Sequence, residues 1–118
     1  MGKSLDELAS YFRPQVNQLL ELVEFPVTII DTGRTPEEQE QKLAQGVSWT
    51  THSKHEPQPP EMKSEAIDLC PTEYLTMKGW NPSGPLWAEL GELGESLGLH
   101  WGGRFPHPDP GHFQFVHT

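Results

Sequence analysis

Proline and glycine interrupt this chain so often that only short helices and strands can form. Twelve prolines and eleven glycines are spread over 118 residues, and both residue types favour turns or end regular structure. A chain of this length has room for one core, so we expect a single domain over residues 1–118. Hydrophobic residues make up 34% of the sequence, which predicts a modest core surrounded by much loop.

Charge and cysteine usage exclude several classes of protein. Seventeen acidic and eight basic side chains give a formal net charge of −9, the opposite of the positive surface that binds nucleic acid. No segment has the length and hydrophobicity of a membrane span, and Asp6 and Glu7 stand where a signal peptide would be apolar. The single cysteine, Cys70, excludes an internal disulfide. We expect a cytoplasmic monomer that binds neither nucleic acid nor membrane.

Local sequence patterns predict an α+β fold. The apolar stripe over residues 5–23 predicts helix, which Pro14 divides into two pieces. Residues 47–63 are polar and proline-rich, which predicts a loop that carries histidines. Further elements are predicted as follows: helices from Thr35 to Gly46 and over residues 85–97, and strands over residues 27–30, 66–70 and 112–116.

Asp68 is the most informative polar residue because it lies inside an apolar strand. A buried carboxylate without a partner costs several kcal/mol, so Asp68 requires a metal ion or a charged partner such as Arg34. Strand alternation places Asp68 and Cys70 on one face, with Ile67 and Leu69 on the other. We expect Cys70 to be buried and inert rather than a ligand or a reactive thiol.

Histidines and carboxylates on separate elements form a possible zinc site. His55, Asp68 and His112 could supply three ligands and leave a fourth position open for water, as in catalytic zinc sites. Asp109 could then act on that water as a general base, and Arg34 could bind a substrate carboxylate or stabilise an oxyanion. Each has a plainer alternative: loop histidines are often solvated, arginines form surface ion pairs, and aspartate between prolines favours a turn.

Five segments, in their order along the chain, resemble a known family of zinc peptidases. From about Pro14 to Phe115 the sequence is similar to the D-Ala-D-Ala carboxypeptidase and L-alanyl-D-glutamate endopeptidase family. The segments are Thr32-Gly33-Arg34 with Gln39, Ser53-Lys54-His55, Ala66-Ile67-Asp68, Trp101-Gly102-Gly103, and Asp109-Pro110-Gly111-His112-Phe113.

The resemblance implies a fold, a cofactor and a role for each residue. It implies a small antiparallel sheet flanked by helices, in a single domain like those of Hedgehog and the DD-peptidases. Zinc would be held by His55, Asp68 and His112, with Asp109 as catalytic base and Arg34 as substrate or transition-state clamp. The resemblance also implies a set of substrate-binding residues, namely Arg34, Gln39, Ser53 and Trp101.

The substrate implied by the resemblance is the stem peptide of peptidoglycan. We expect an L-alanyl-D-glutamate endopeptidase of the phage endolysin type, released from the cytoplasm by a holin or by lysis. One alternative is a D-alanyl-D-alanine carboxypeptidase. Another is a binding domain that is stabilised by zinc and has no catalytic activity.

The sequence departs from the family pattern between the first two predicted ligands. His55 and Asp68 are thirteen residues apart, which is longer than usual in the family, and Ser64 occupies the position expected for glycine. Residues 56–63, from Glu56 to Lys63, are interpreted as a loop insertion, which is thermodynamically inexpensive. The insertion leaves His52 as a rival to His55. The remaining histidines, His100, His107 and His117, are expected to be structural or solvated.

Overall fold

A computed structural model describes residues 4–32 and 63–117. Single 3-10 turns precede or connect several of the elements. The helices and strands, in chain order, are α1 (Arg13–Leu22), β1 (Val27–Asp31), β2 (Ala66–Pro71), α2 (Pro85–Ser96), β3 (His100–Trp101) and β4 (His112–Gln114).

The predicted N-terminal helix is divided, and its first piece is shorter than expected. The Ser4 side chain accepts a hydrogen bond from the Asp6 N–H, and the Glu7 carboxylate accepts one from the Ser4 N–H. This capping box begins only a 3-10 turn, Leu5–Glu7, and helix α1 begins at Arg13. Pro14 lies in the first turn of α1, where its missing N–H leaves no helical hydrogen bond unmade.

The four strands form one antiparallel sheet with the order β1-β2-β4-β3. The central pairing aligns Asp68 of β2 with His112 of β4, and Asp68 also lies opposite Asp31 of β1. A register irregularity between Ile29 and Asp31 places Ile30 at a bulge. The predicted α+β class with a small antiparallel sheet is confirmed.

Helices α1 and α2 share the main hydrophobic core with the sheet. Ile67 and Leu69 of β2 lie in the main core, whereas Cys70 packs into a smaller cluster with Tyr74 and Trp87. The two clusters agree with the alternation predicted for the strand. The main core also contains Val16 and Leu19 of α1, Leu90 of α2, and Phe12, Trp101 and Phe113.

Two glycines let α2 approach the sheet closely. A Cβ atom at Gly91 would lie 2.1 Å from the Trp101 ring, and one at Gly94 would lie 2.5 Å from the Phe113 ring. Glycine is intrinsically unfavourable within a helix, so the close packing of two aromatic rings explains why the helix contains both. The helix spans nearly the predicted range, although it ends at Ser96.

The last strand is shorter than predicted. β4 ends at Gln114, and the Phe115 N–H donates a hydrogen bond to the Glu65 carbonyl, outside the regular ladder. Across residues 4–32 and 63–117, no helix has the length and hydrophobicity needed to cross a membrane. The predicted helix from Thr35 to Gly46 lies outside the described residues.

Candidate metal centre

Asp68 and His112 meet because their strands are paired in register. The His112 Nδ1 atom lies 3.1 Å from the Asp68 Oδ1 atom. The His112 side chain is 8% exposed and that of Asp68 is 19% exposed, so both groups are largely removed from water. The sequence-based expectation that Asp68 has a charged or metal partner is consistent with this contact.

Asp109 completes a group of three polar side chains. Ligand atoms of Asp68, Asp109 and His112 all lie within 4.8 Å of one another. Ligands about 2.0 Å from a tetrahedral zinc ion are about 3.3 Å apart, which follows from the tetrahedral angle. The 3.1 Å spacing of Asp68 and His112 is close to that value. The imidazole of His112 and the carboxylate of Asp68 are therefore spaced as two ligands of one zinc ion would be, and Asp109 lies beside them.

A tight turn holds Asp109 beside His112. The His112 N–H donates to the Asp109 carbonyl at 3.0 Å, and the Asp109 N–H donates to the Gly102 carbonyl at 2.9 Å. Gly102 is needed here because a Cβ atom would lie 2.3 Å from the Asp109 carbonyl oxygen and 2.8 Å from the His112 Cβ. The sequence interval of three residues between acid and histidine thus corresponds to one closed turn.

Trp101, a residue of the main core, forms a hydrogen bond to the same turn. Its indole Nε1–H donates to the Pro110 carbonyl at 2.8 Å, and the residue as a whole is 8% exposed. The Arg104 guanidinium lies 5.0 Å from the ring centroid and bonds Glu95. The observed contacts of Trp101 are therefore with protein, and a contact with substrate remains a prediction.

The second ring nitrogen of His112 contacts Gln114, a residue that the sequence patterns did not single out. The His112 Nε2 atom lies 2.8 Å from the Gln114 Oε1 atom. An acceptor at this position favours a proton on Nε2, so Nδ1 can act as the ligand atom when a metal ion replaces its hydrogen bond to Asp68. A polar residue two positions after the histidine on the same strand was the available signal, since both side chains then share one face.

Opposing effects act on the protonation of His112 in the metal-free protein. Burial disfavours the imidazolium, but the hydrogen bond and negative charge of Asp68, with help from Gln114 and Asp109, outweigh that effect. The pKa of His112 is consequently raised above its ordinary value. The same carboxylates that favour a proton here would favour a metal cation.

Ser64, which stands where the sequence resemblance leads us to expect glycine, is accommodated at the start of β2. It is 3% exposed, and its hydroxyl donates to the Ala66 carbonyl and accepts from the Ala66 N–H. Its backbone N–H also donates to the Glu7 carbonyl, and its carbonyl accepts from the Ala9 N–H. A serine at this position therefore fits the start of the strand that carries Asp68.

Several predicted site residues lie outside the described residues. They are Arg34, Gln39, Ser53, His55 and its rival His52, together with all of the predicted insertion except Lys63. The roles assigned to them remain predictions.

The cysteine and the three remaining histidines lie outside the candidate metal centre. Cys70 is fully buried, and burial raises the pKa of its thiol. His117 contacts the buried Glu65 carboxylate at 2.8 Å. His100 is exposed and packs edge-on against Phe105, with ring centroids 5.1 Å apart. His107 is exposed as well.

Comparison with known proteins places the chain in a peptidase family. The sequence model described as D-alanyl-D-alanine carboxypeptidase matches residues 47–115, which is more than half of the chain. The protein therefore belongs to this family of peptidases, and the resemblance found in its sequence motifs is confirmed. No curated protein matches the sequence.

A solved structure has the same fold. The crystal structure of the L-Ala D-Glu endopeptidase ChiX from Serratia marcescens aligns with a TM-score of 0.70 and 18% sequence identity. The alignment covers 95% of this chain and 83% of the other. At this identity the likeness establishes the fold, and it agrees with the observed α+β domain.

Proposed function

We propose that the protein is a zinc-dependent peptidoglycan peptidase that hydrolyses the L-alanyl-D-glutamate bond of the stem peptide. The observation that carries this proposal is the convergence of Asp68, Asp109 and His112 within 4.8 Å in a chain of a peptidase family. The fold shared with an L-Ala D-Glu endopeptidase favours that specificity.

Asp68 and His112 would hold the zinc ion, together with His55. A bound zinc ion supplies a Lewis acid that polarises the scissile carbonyl and lowers the pKa of a coordinated water. Gln114 would orient the His112 ring through its contact with Nε2. Arg34 would bind an anionic group of the substrate or the developing oxyanion.

Asp109 would move the proton in this reaction. It is the exposed member of the three, so it can meet both water and substrate. Its carboxylate would accept a proton from water as the oxygen attacks the carbonyl carbon, and would then give that proton to the nitrogen as the C–N bond breaks. The turn that binds its backbone at both ends keeps this carboxylate beside His112.

The Asp109→Ala variant distinguishes two roles for Asp109, a catalytic base and a third zinc ligand. If Asp109 is the base, the variant should retain stoichiometric zinc while its activity falls by about 10²- to 10⁴-fold. Loss of zinc in this variant would make Asp109 a ligand instead. Asp68→Ala and His112→Ala should each lose zinc, and His55→Ala compared with His52→Ala decides which loop histidine binds the ion. Glu89→Ala, an exposed change on α2, is the matched control.

A D-alanyl-D-alanine carboxypeptidase is the second candidate, and the description of the matching family favours it. Mass spectrometry of muropeptides incubated with zinc-loaded and chelator-treated protein distinguishes the two. Endopeptidase activity yields fragments with a new D-Glu amino terminus, whereas carboxypeptidase activity removes D-Ala. If neither product forms, the zinc site belongs to a domain without peptidase activity and the proposal is wrong.

A further inference from the structure

A cavity of about 200 Å³ adjoins the candidate metal centre. Asp68 and Asp109 belong both to the candidate metal centre and to the lining of the cavity. Its other walls include Ile30, Trp80, Pro82 and Trp87. Because the cavity shares two residues with the centre, a group that fills it lies next to the bond that the peptidase would cleave.

The wall that contains Trp80 has an unusual backbone. Gly79, Trp80 and Asn81 have φ angles of +59°, +61° and +53°, all in the left-handed region. Glycine and asparagine tolerate this region, but a bulky residue such as tryptophan rarely adopts it. Backbone strain of this kind is concentrated at functional sites and persists only where the surrounding structure holds it.

The core holds this strained turn. The buried Trp87 indole Nε1–H is shared between the Trp80 carbonyl at 3.3 Å and the Asn81 carbonyl at 3.0 Å. The Trp80 N–H donates to Met77, and the Gly84 N–H donates to Asn81. Trp80 nevertheless remains 40% exposed. The fold therefore maintains a strained conformation that presents a large apolar side chain beside the candidate centre.

The chemistry of the walls indicates what the cavity receives. None of the described lining residues is lysine, arginine or histidine, so these walls provide no cationic side chain for a substrate carboxylate. The two charged residues among the described walls, Asp68 and Asp109, are aspartates, which repel an anion. A bound divalent cation would offset their charge but would leave the apolar walls unchanged. An uncharged aliphatic group is therefore the chemistry that suits the cavity.

We propose that Trp80 forms the wall of a substrate subsite that receives the uncharged alanine side of the scissile bond. The proposal rests on the proposed peptidase function. It implies that the negatively charged D-Glu side points away from this cavity, toward another part of the site. Trp80 is then a specificity-determining residue: it binds the alanine methyl and the acyl group on its nitrogen, and takes no part in proton transfer.

Kinetics on three matched peptides test the proposal. The peptides are acetyl-L-alanyl-D-glutamate extended by the rest of the stem, and its analogues with glycine or L-aspartate in place of alanine. In the zinc-loaded wild-type protein we expect kcat/KM to be highest for the alanine peptide, lower for the glycine peptide and lowest for the aspartate peptide. In Trp80→Ala the KM for the alanine peptide should rise by about 3- to 10-fold, the scale of losing one or two buried CH₂ equivalents, while kcat stays within about 2-fold.

Two further variants separate a subsite from a structural role. Trp80→Phe keeps an aromatic wall and should restore most of the lost affinity. Met77→Ala removes a neighbouring hydrophobic side chain of similar exposure, 41% against 40%, that is not among the described lining residues, and should leave KM unchanged. Trp80→Ala removes a ring that is 40% exposed and therefore partly buried, so the Tm should fall by a few degrees, and KM is compared well below the Tm of both proteins. An unchanged preference for alanine over glycine in Trp80→Ala would overturn the proposal.

Direct binding distinguishes failure of the subsite from failure of the peptidase function. Calorimetric titration of the same peptides into zinc-loaded Asp109→Asn measures binding without turnover, with and without Trp80→Ala. If the wild-type protein cleaves none of the peptides but Trp80→Ala weakens binding of the alanine peptide, the subsite stands and the peptidase function fails. If the wild-type protein cleaves the peptide and Trp80→Ala binds it equally well, the subsite fails alone.

Discussion

The contact between Trp101 and Pro110 gives a quantitative prediction about how the candidate centre is held. Trp101→Phe removes the indole N–H that donates to the Pro110 carbonyl at 2.8 Å, and it shortens a ring that packs closely on Gly91 and Gly103. Loss of the hydrogen bond should cost about 0.5–1.5 kcal/mol, and the space left by the smaller ring should cost about 1 kcal/mol more.

The expected destabilisation, about 1.5–2.5 kcal/mol, corresponds to a measurable shift in Tm. Unfolding entropy of about 2.1 cal/mol/K per residue gives about 0.25 kcal/mol/K for 118 residues. The Tm of the metal-free protein should therefore fall by about 6–10 °C. Because Pro110 lies within the turn from Asp109 to His112, zinc affinity should fall as well, by about 10-fold.

Calorimetric melting with chelator and zinc titration against a competing dye measure the two effects. Arg104→Ala is the control, since it removes the guanidinium above the same ring but leaves the indole hydrogen bond intact, and it should change neither quantity much. A Tm within about 2 °C of wild type, together with unchanged zinc affinity in Trp101→Phe, would refute the reasoning that this contact holds the turn.

Three further predictions concern packing, metal binding and the buried thiol. Gly91→Ala should lower stability by about 1–3 kcal/mol despite its better helix propensity, because the new Cβ would lie 2.1 Å from the Trp101 ring; a Tm above wild type would contradict this packing. Gln114→Ala should weaken zinc binding by about 10-fold or more, as measured by dye competition. Gln114→Glu keeps an acceptor for His112 Nε2 and should restore the affinity. Equal zinc affinities of Gln114→Ala and the wild-type protein would show that Gln114 does not support the centre. Cys70 is fully buried and its pKa is raised, so Ellman's reagent at pH 8 should label it only in denaturant, and rapid labelling of the native protein would disprove its inert role.

Part of the candidate site could be predicted from the sequence because its signals are local. An aspartate within an apolar strand requires a partner wherever that strand packs, which singled out Asp68. The interval between Asp109 and His112 matches one closed turn, which adjacent residues determine. Pro14 and the glycines near α2 likewise set helix limits through their own backbone chemistry, so those boundaries were predicted to within a few residues.

Other features depend on contacts between residues far apart in the chain. The sheet register places Asp68 opposite His112, and no local pattern specifies that pairing, because register follows from how both strands pack on α1 and α2. Gln114 belongs to the site because β4 brings its side chain against the His112 ring.

The sequence by itself determined which side chains need partners and where the chain must turn, because these follow from burial cost and backbone chemistry within a few residues. Tertiary structure alone decided that Trp80 is held in a strained turn beside the cavity, because the Trp87 hydrogen bonds come from the following helix. Tertiary structure also revealed why α2 needs Gly91, since the Trp101 ring that fills the space belongs to another strand. Such arrangements arise from close packing between separate elements, which is a property of the whole fold.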